Sequence, residues 1–234
     1  SDITKRTIRS FVNRNGRITL SQKKALTELL PLYGVRKEEL RDLGLLFKNQ
    51  NPVYLEIGTG NGLNIINLAD SYPGVSFLGC EIYKPGLGRT LMQLDQQKIS
   101  NLRVILGDAM DVVNSLLEKT LDRVYVFFPD PWPKKRHNKR RLINAQFLEM
   151  IGFKMKTNGR LYIATDCVTY ADQIIELIES SPRLDNIAGP KCFAPRPSWR
   201  ETTRFESRAL AEGSRIFEIV ACVNLRCNSH KRLE

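Results

Sequence analysis

Five times between residues 53 and 179, a short apolar run is followed by a segment of helical periodicity. Strands are expected at Val53–Ile57, Val75–Cys80, Leu102–Leu106, Arg123–Phe128 and Arg160–Ala164. Helices are expected at Leu63–Ala69, Leu87–Lys98, Val112–Leu117, Leu142–Met155 and Ala171–Glu179. The strands are apolar at consecutive positions, which requires both of their faces to be buried. The expected fold is therefore α/β and Rossmann-like, a mostly parallel sheet with helices on both faces. Ahead of it, a helix starts at Ser21 and stops before Pro31, a second spans roughly Arg36–Phe47, and Asn49-Gln50-Asn51-Pro52 breaks the pattern. Behind it, 181–215 is rich in Pro, Arg and Ser and reads as loop. Arg215–Val223 then returns as a late antiparallel strand, packing Ile216, Phe217, Ile219 and Val223 inward. The organisation is one α/β domain, 51–234, behind a basic N-terminal arm with helices, 1–50.

Ligands of open parallel sheets bind beyond the carboxyl ends of the strands, so the residues at those ends carry the chemistry. The first strand runs into Glu56-Ile57-Gly58-Thr59-Gly60-Asn61-Gly62, three glycines at alternate positions before a helix. Such a turn lets backbone approach a ligand and points free helix N–H groups at it. The second strand ends at Glu81, placed to hold a ribose diol, the third at Gly107-Asp108-Ala109 and the fourth at Asp130. A lone glycine cluster makes a tight turn in many proteins, and a lone acid caps many helices. Acids at four strand ends are harder to explain that way. A nicotinamide dinucleotide needs a further glycine where Leu63 stands, and its pyrophosphate gains nothing from Glu56, Asp108 and Asp130. A cationic nucleoside without phosphate does gain. S-adenosylmethionine, with its sulfonium, ammonium and ribose diol, is the cofactor of choice.

The fourth strand opens a segment of abrupt change, Val124–Arg141. Its apolar run meets Pro129, which cannot donate to a ladder, so Asp130 stands at the strand's edge. Lys134, Lys135, Arg136, Lys139, Arg140 and Arg141 then place six positive charges in eight residues. The whole chain carries a net charge of +11, and residues 1–24 hold seven Lys or Arg against the single Asp2. A polyanion is the natural partner class, nucleic acid above all. No apolar run is long enough to span a membrane, and residues 1–20 lack a signal-peptide core. The five cysteines form no CxxC pair and the two histidines stand far apart, so no metal site is expected and a cytoplasmic setting fits.

These motifs carry a resemblance. Ile8-Arg9-Ser10-Phe11-Val12 with Arg17, the Glu56–Gly62 turn, Phe127-Phe128-Pro129-Asp130-Pro131-Trp132-Pro133-Lys134-Lys135-Arg136-His137, Ala164-Thr165-Asp166 and Thr203-Arg204-Phe205-Glu206-Ser207-Arg208 resemble bacterial tRNA (guanine-N7-)-methyltransferases, within the class I methyltransferase fold. The glycine turn is common to many methyltransferases; the proline-bracketed Asp–Trp run with its bases is specific. One departure is Asn61, where the family often has a bulky apolar residue. The resemblance implies methyl-donor contacts from Glu56, Gly58, Gly60, Glu81, Asp108 and Asp130, with Asp130 also catalytic. It implies substrate guanosine contacts from Lys134, Asp166, Thr203, Arg204, Phe205 and Glu206, and the tRNA variable loop as target. Arg136, His137, Asn138, Lys139, Arg140 and Arg141 are assigned to RNA.

Guanine N7 carries a lone pair and no proton, so the chemistry asks for placement and not for a base. Asp130 suits an electrostatic role where positive charge passes to the purine. Asp166 and Glu206 are both candidates to read the guanine N1–H and amino group. Trp132 stacks on a base or plugs the prolines. Arg200, Arg204 and Arg208, at spacing four with Trp199 and Phe205 among them, form a second RNA-facing stripe or the exposed side of a helix. The late cysteines read as buried packing. Two other readings stand beside the leading one: a methyltransferase of another substrate, and a non-catalytic RNA-binding module on the same fold. The expected partner is tRNA, with no membrane, and the expected state is monomer or homodimer.

Overall fold

The computed structural model describes residues 17–224. The first sixteen residues of the basic arm with the Ile8–Val12 stretch, Cys227, His230 and the side chain of Arg204 lie outside the described residues. Helix α1 (Leu20–Glu28) opens on Thr19, which forms a reciprocal capping box with Gln22. The chain does not stop at Pro31. That residue sits in the first turn of a short helix, α2 (Leu30–Tyr33), where its missing N–H costs nothing. The helix expected over 36–47 is split into a 3₁₀ turn, Lys37–Arg41, and α3 (Leu43–Phe47), because Asp42 is extended and caps the second piece through Leu45 N–H.

The alternating region follows as β1 (Val53–Ile57), α4 (Leu63–Ser71), β2 (Ser76–Glu81), α5 (Lys84–Gln96), β3 (Leu102–Leu106), α6 (Ala109–Ser115), β4 (Leu121–Phe127), α7 (Ala145–Lys154), β5 (Met155–Thr165) and α8 (Val168–Glu179). The remainder is β6 (Leu184–Asn186), α9 (Arg204–Ala211) and β7 (Phe217–Val223). Both β6 and α9 fall where the sequence reads as loop. Three residues are too few to display an alternation. Among the described side chains of α9, Glu206 and Ala209 are buried while Phe205 and Leu210 stay exposed, so the buried face is not an apolar stripe.

The strand order is β3-β2-β1-β4-β5-β7-β6. The pairs from β3 through β5 are parallel, and β7 runs antiparallel to both β5 and β6. Strand order therefore reverses between β1 and β4, and the crevice beyond their carboxyl ends is the ligand position for such sheets. One face of the sheet is covered by α6, α7 and α8 through Val112, Phe147, Ile151 and Ile174, with Leu40 and Leu43 beside them. The other face is covered by α1, α4 and α5 through Ala25, Ile65, Leu87 and Leu91. Towards β5, that second face is finished by aromatic rings, with Trp199 5.1 Å from both Tyr125 and Tyr162. Residues 34–35 close on the β3 edge, where Val35 N–H donates to Val104 O at 2.9 Å. No helix among the described residues is long and apolar enough to cross a membrane.

Candidate active site

The glycine turn leaves β1 with three left-handed residues, Gly58, Gly60 and Gly62, at φ +78°, +57° and +80°. Side-chain residues are strained there, and at Gly62 a Cβ would also lie 2.5 Å from Thr90 Oγ1. At Gly58 and Gly60 a Cβ would meet nothing within 4 Å, so backbone there faces open space. The turn is fastened by a carboxylate: Glu81, ending β2, accepts the N–H groups of Gly60, Ile82 and Tyr83 at 2.6, 2.8 and 2.7 Å. Burial pushes the Glu81 carboxyl up, the three N–H donors pull it down, and the nearby charge of Asp130 adds to the rise. A carboxylate has about four acceptor sites, so roughly one remains for a ligand.

A cleft of about 260 Å³ opens in front of the turn, lined by Gly58, Gly60, Glu81, Asp108, Phe128 and Asp130 among others. Asp108 caps α6 through Met110 N–H at 2.9 Å. The structure thus gathers Gly58, Gly60, Glu81, Asp108 and Asp130 around one space. Glu56 is set apart. It is buried behind the turn, accepts Asn64 Nδ2 at 2.7 Å and is absent from the cleft wall. Burial raises its carboxyl to about 8, against the Asn64 bond and with help from Glu81. Beside it, Thr59 Oγ1 and Asn64 Oδ1 are buried without a hydrogen-bond partner. Open backbone, three carboxylates on the wall and no Lys or Arg among the lining residues suit a cationic nucleoside such as S-adenosylmethionine.

Asp130 stands in a loop under backbone strain. Phe128 and Trp132 have φ of +51° and +44°, a region costing bulky residues roughly 1–3 kcal/mol each. Phe128 N–H still donates to Ala164 O at 2.8 Å, so the loop departs from a fixed point on β5. Trp132 is half-buried, with the His137 ring 5.8 Å away edge-on and the Arg140 guanidinium 4.9 Å from its centroid. Residues Lys135–Arg140 form a 3₁₀ turn, and Lys134, Lys135, Arg136, Lys139 and Arg140 are exposed while His137 and Asn138 are half-buried. Desolvation, then Arg140, Arg136, Lys134 and Lys139, push the His137 imidazole down.

Arg141 corrects the sequence reading. It is 2 % exposed and turned inward, bonded to Pro131 O, Thr169 O, Thr169 Oγ1 and Gln173 Oε1, with Tyr170 under its guanidinium at 4.7 Å. A group so enclosed has no face left for a phosphate. In a run of bases, sequence gives no hint of which one points inward.

On the far side of the loop, Asp166 follows β5, half-buried. Thr203 caps α9 through Glu206 N–H at 3.1 Å, and the Phe205 ring lies 5.4 Å from that of Phe128, which brings α9 to the cleft's rim. Glu206 departs from the expectation of a guanine-reading carboxylate. It is fully buried, with Oε1 bonded by Arg196 at 3.0 Å and Arg200 at 2.6 Å, and Oε2 by Arg200 at 2.8 Å. Arg200 also bonds Glu218 on β7 and lies 5.5 and 5.6 Å from the Phe127 and Phe128 rings. It precedes α9 and is buried, so the stripe expected from spacing is not formed by Arg200; Trp199 likewise turns into the aromatic cluster, and Arg208 is exposed. One signal for this network was available, a lone Glu218 inside an apolar strand. Of the late cysteines, Cys192 is exposed and Cys222 half-buried, not fully packed. Among the described residues no three His, Cys, Asp or Glu side chains are close enough together to hold a metal ion.

Comparison with known proteins places this site in a context. A family model described as a putative methyltransferase matches residues 50–219. A protein of Nitrosospira multiformis named tRNA (guanine-N(7)-)-methyltransferase is 42 % identical over 217 residues, 92 % of this chain and 94 % of that protein. A protein of the same name from Methylobacillus flagellatus is 40 % identical over 222 residues, 94 % of this chain and 92 % of the relative. Among solved structures, the aminoglycoside resistance methyltransferase NpmB1 superposes with a TM-score of 0.55 at 17 % identity, covering 81 % of this chain and 94 % of that one. At that identity it is the fold that is shared.

Proposed function

The chain belongs to the tRNA (guanine-N7-)-methyltransferases, and on that premise we propose that the cleft at the β1–β4 switch point takes S-adenosylmethionine and presents it to a guanine of tRNA. The enzyme methylates guanine N7. The observation that carries the assignment of the site is the convergence of Glu81, Asp108 and Asp130 with the open glycine turn on one cleft, next to an exposed row of bases. Bound there, S-adenosylmethionine supplies an electrophilic methyl group whose bonding pair departs with a neutral thioether.

The protein's own work is placement. Gly58 and Gly60 give the ligand direct access to backbone, and Glu81 has acceptor capacity left for a ribose hydroxyl. Asp108 and Asp130 put negative charge on the wall facing the cationic part of the ligand. Glu56 acts from behind the turn, through its hydrogen bond with Asn64 at the start of α4. N7 needs no deprotonation, so Asp130 serves as a fixed charge beside the purine as it turns cationic. Lys134, Asp166, Thr203, Arg204 and Phe205 form the guanosine side, and the occupation of both Glu206 oxygens by guanidiniums favours Asp166 as the reader of the guanine edge. Arg136, His137, Asn138, Lys139 and Arg140 meet RNA, the bases through phosphates, which give affinity without sequence information.

The test is incubation with labelled methyl donor and unmodified tRNA, followed by chain cleavage at 7-methylguanosine. Label at one guanine, mapped to the variable loop, is expected; no label, or label on another atom, would overturn the reading. In the same assay Asp130→Ala is expected to lower turnover by about 10²–10³-fold while tRNA retention on a filter stays near wild type. A variant as active as wild type would remove Asp130 from the mechanism.

A further inference from the structure

Arg141 closes the basic run but shares none of its exposure. Its backbone N–H donates to Asn138 O at 3.0 Å and ends the 3₁₀ turn of exposed bases. Its side chain goes the other way. Nε donates to Pro131 O at 2.8 Å, the carbonyl next after Asp130, while the two terminal nitrogens reach Thr169 and Gln173 on α8. The partners in this set are neutral, and four of about five N–H groups are spent on them. Tyr170 lies under the guanidinium and accepts Ile143 N–H at 2.9 Å through its hydroxyl, so the chain beyond Arg141 is held by the same helix.

The strained loop is therefore fastened on both sides of Asp130. Phe128 N–H fixes its start to Ala164 on β5, and Arg141 fixes Pro131 to α8. Between them lies Asp130. Asp130 and Arg141 are both near enough to Tyr170 for their charges to act on its hydroxyl in opposite directions. A residue serving only RNA affinity would have no use for this arrangement.

We propose that Arg141 is a positioning residue: it sets the place of Asp130 in the cleft and joins the RNA-gripping turn to the reaction centre, without touching RNA itself. This rests on the methyl-transfer reading above. A phosphate contact and a positioning bond respond differently to a lysine. Lysine keeps the charge, so phosphate contact survives it, but an ammonium cannot bridge Pro131, Thr169 and Gln173 in the geometry of a planar fork.

The experiment compares Arg141→Lys, Gln173→Ala and Lys139→Gln with wild type in three measurements: single-turnover methyl transfer, tRNA affinity against salt, and methyl-donor affinity. For Arg141→Lys the transfer rate is expected to fall about 10²-fold, the effect of a displacement near 1 Å. Its salt slope should stay within about half a unit of wild type, whereas Lys139→Gln should lose about one unit. Gln173→Ala, which alters the anchor but neither the loop nor the bases, should slow transfer by about 3–10-fold at an unchanged slope. Near-wild-type transfer by Arg141→Lys, or a slope reduced by about one unit, overturns the proposal. Should Arg141→Lys fail to fold by near-ultraviolet circular dichroism, Gln173→Ala decides, and wild-type transfer by that variant is fatal. Should wild type itself transfer no methyl group to tRNA, the functional reading falls instead. Loop placement is then read from Trp132 fluorescence in a Trp199→Phe background, where an emission unchanged by Gln173→Ala counts against Arg141.

Discussion

Glu56 sits where burial works against its own charge. Its carboxyl is buried, satisfied on one oxygen by Asn64, and raised to about 8 from 4.5. Between those values the folded protein holds a proton that the unfolded chain has released. The contribution of Glu56 to stability is therefore fully present below about 4.5 and is lost as pH climbs through about 8, at up to roughly 1.4 kcal/mol per pH unit. Glu56→Gln is expected to flatten that slope and to be more stable than wild type at pH 8.5 by roughly 1–3 kcal/mol. Urea melts across pH 5–9 check it, and parallel pH profiles for the two proteins would refute it. The strand-end acids Glu56, Glu81, Asp108 and Asp130 were legible as a set, because strand ends follow from apolar runs. Their individual duties were not. Glu81 fastens the turn and Glu56 sits behind it, distinctions made by side-chain direction, which spacing does not encode.

At the scale of the element, α9 depends on a buried arginine. Arg200 bonds Glu206 on the helix and Glu218 on β7, and Arg196 joins from the rim. Removing one member of such a set strands opposite charges in a low-dielectric interior. Arg200→Met is expected to destabilise by roughly 3–5 kcal/mol, with much of that recovered when Glu206→Gln and Glu218→Gln are added. Guanidinium melts of the single and triple variants test this; a single variant as stable as wild type would contradict the assigned contacts. Strands β1 and β3 were readable to the residue, since consecutive apolar positions bounded by breaks leave little freedom. Element α9 was unreadable because it is held by charge and not by an apolar stripe, and β6 because it is three residues long. The turn Lys135–Arg140 was legible in its charge but not in its shape, which Arg141 and Trp132 determine from inside.

The whole molecule was legible in its sheet: alternation alone gave a parallel core and the late strand at 215–223, while the antiparallel direction of that strand belongs to the class I methyltransferase fold and is not encoded in its alternation. Strand order was not, because long-range pairing leaves no local mark. That order puts β3 and β6 at the two open margins of the sheet, and unpaired margins recruit strands from other molecules. One margin is only three residues long. The other is blunted by the backbone of residues 34–35, and Gly34 makes the approach possible, since a Cβ there would lie 2.4 Å from Leu30 O. Gly34→Ala should push this flap off β3, and light scattering during refolding should then rise at concentrations where wild type stays clear. Equal scattering would mean that the edge needs no guard. A net charge of +11 keeps copies of this chain apart at a distance, but it does not cap the N–H and C=O groups of an edge strand, which have to be covered locally. Here that cover comes from a few residues of backbone between α2 and the 3₁₀ turn, so the segment ahead of the sheet also closes one of its edges.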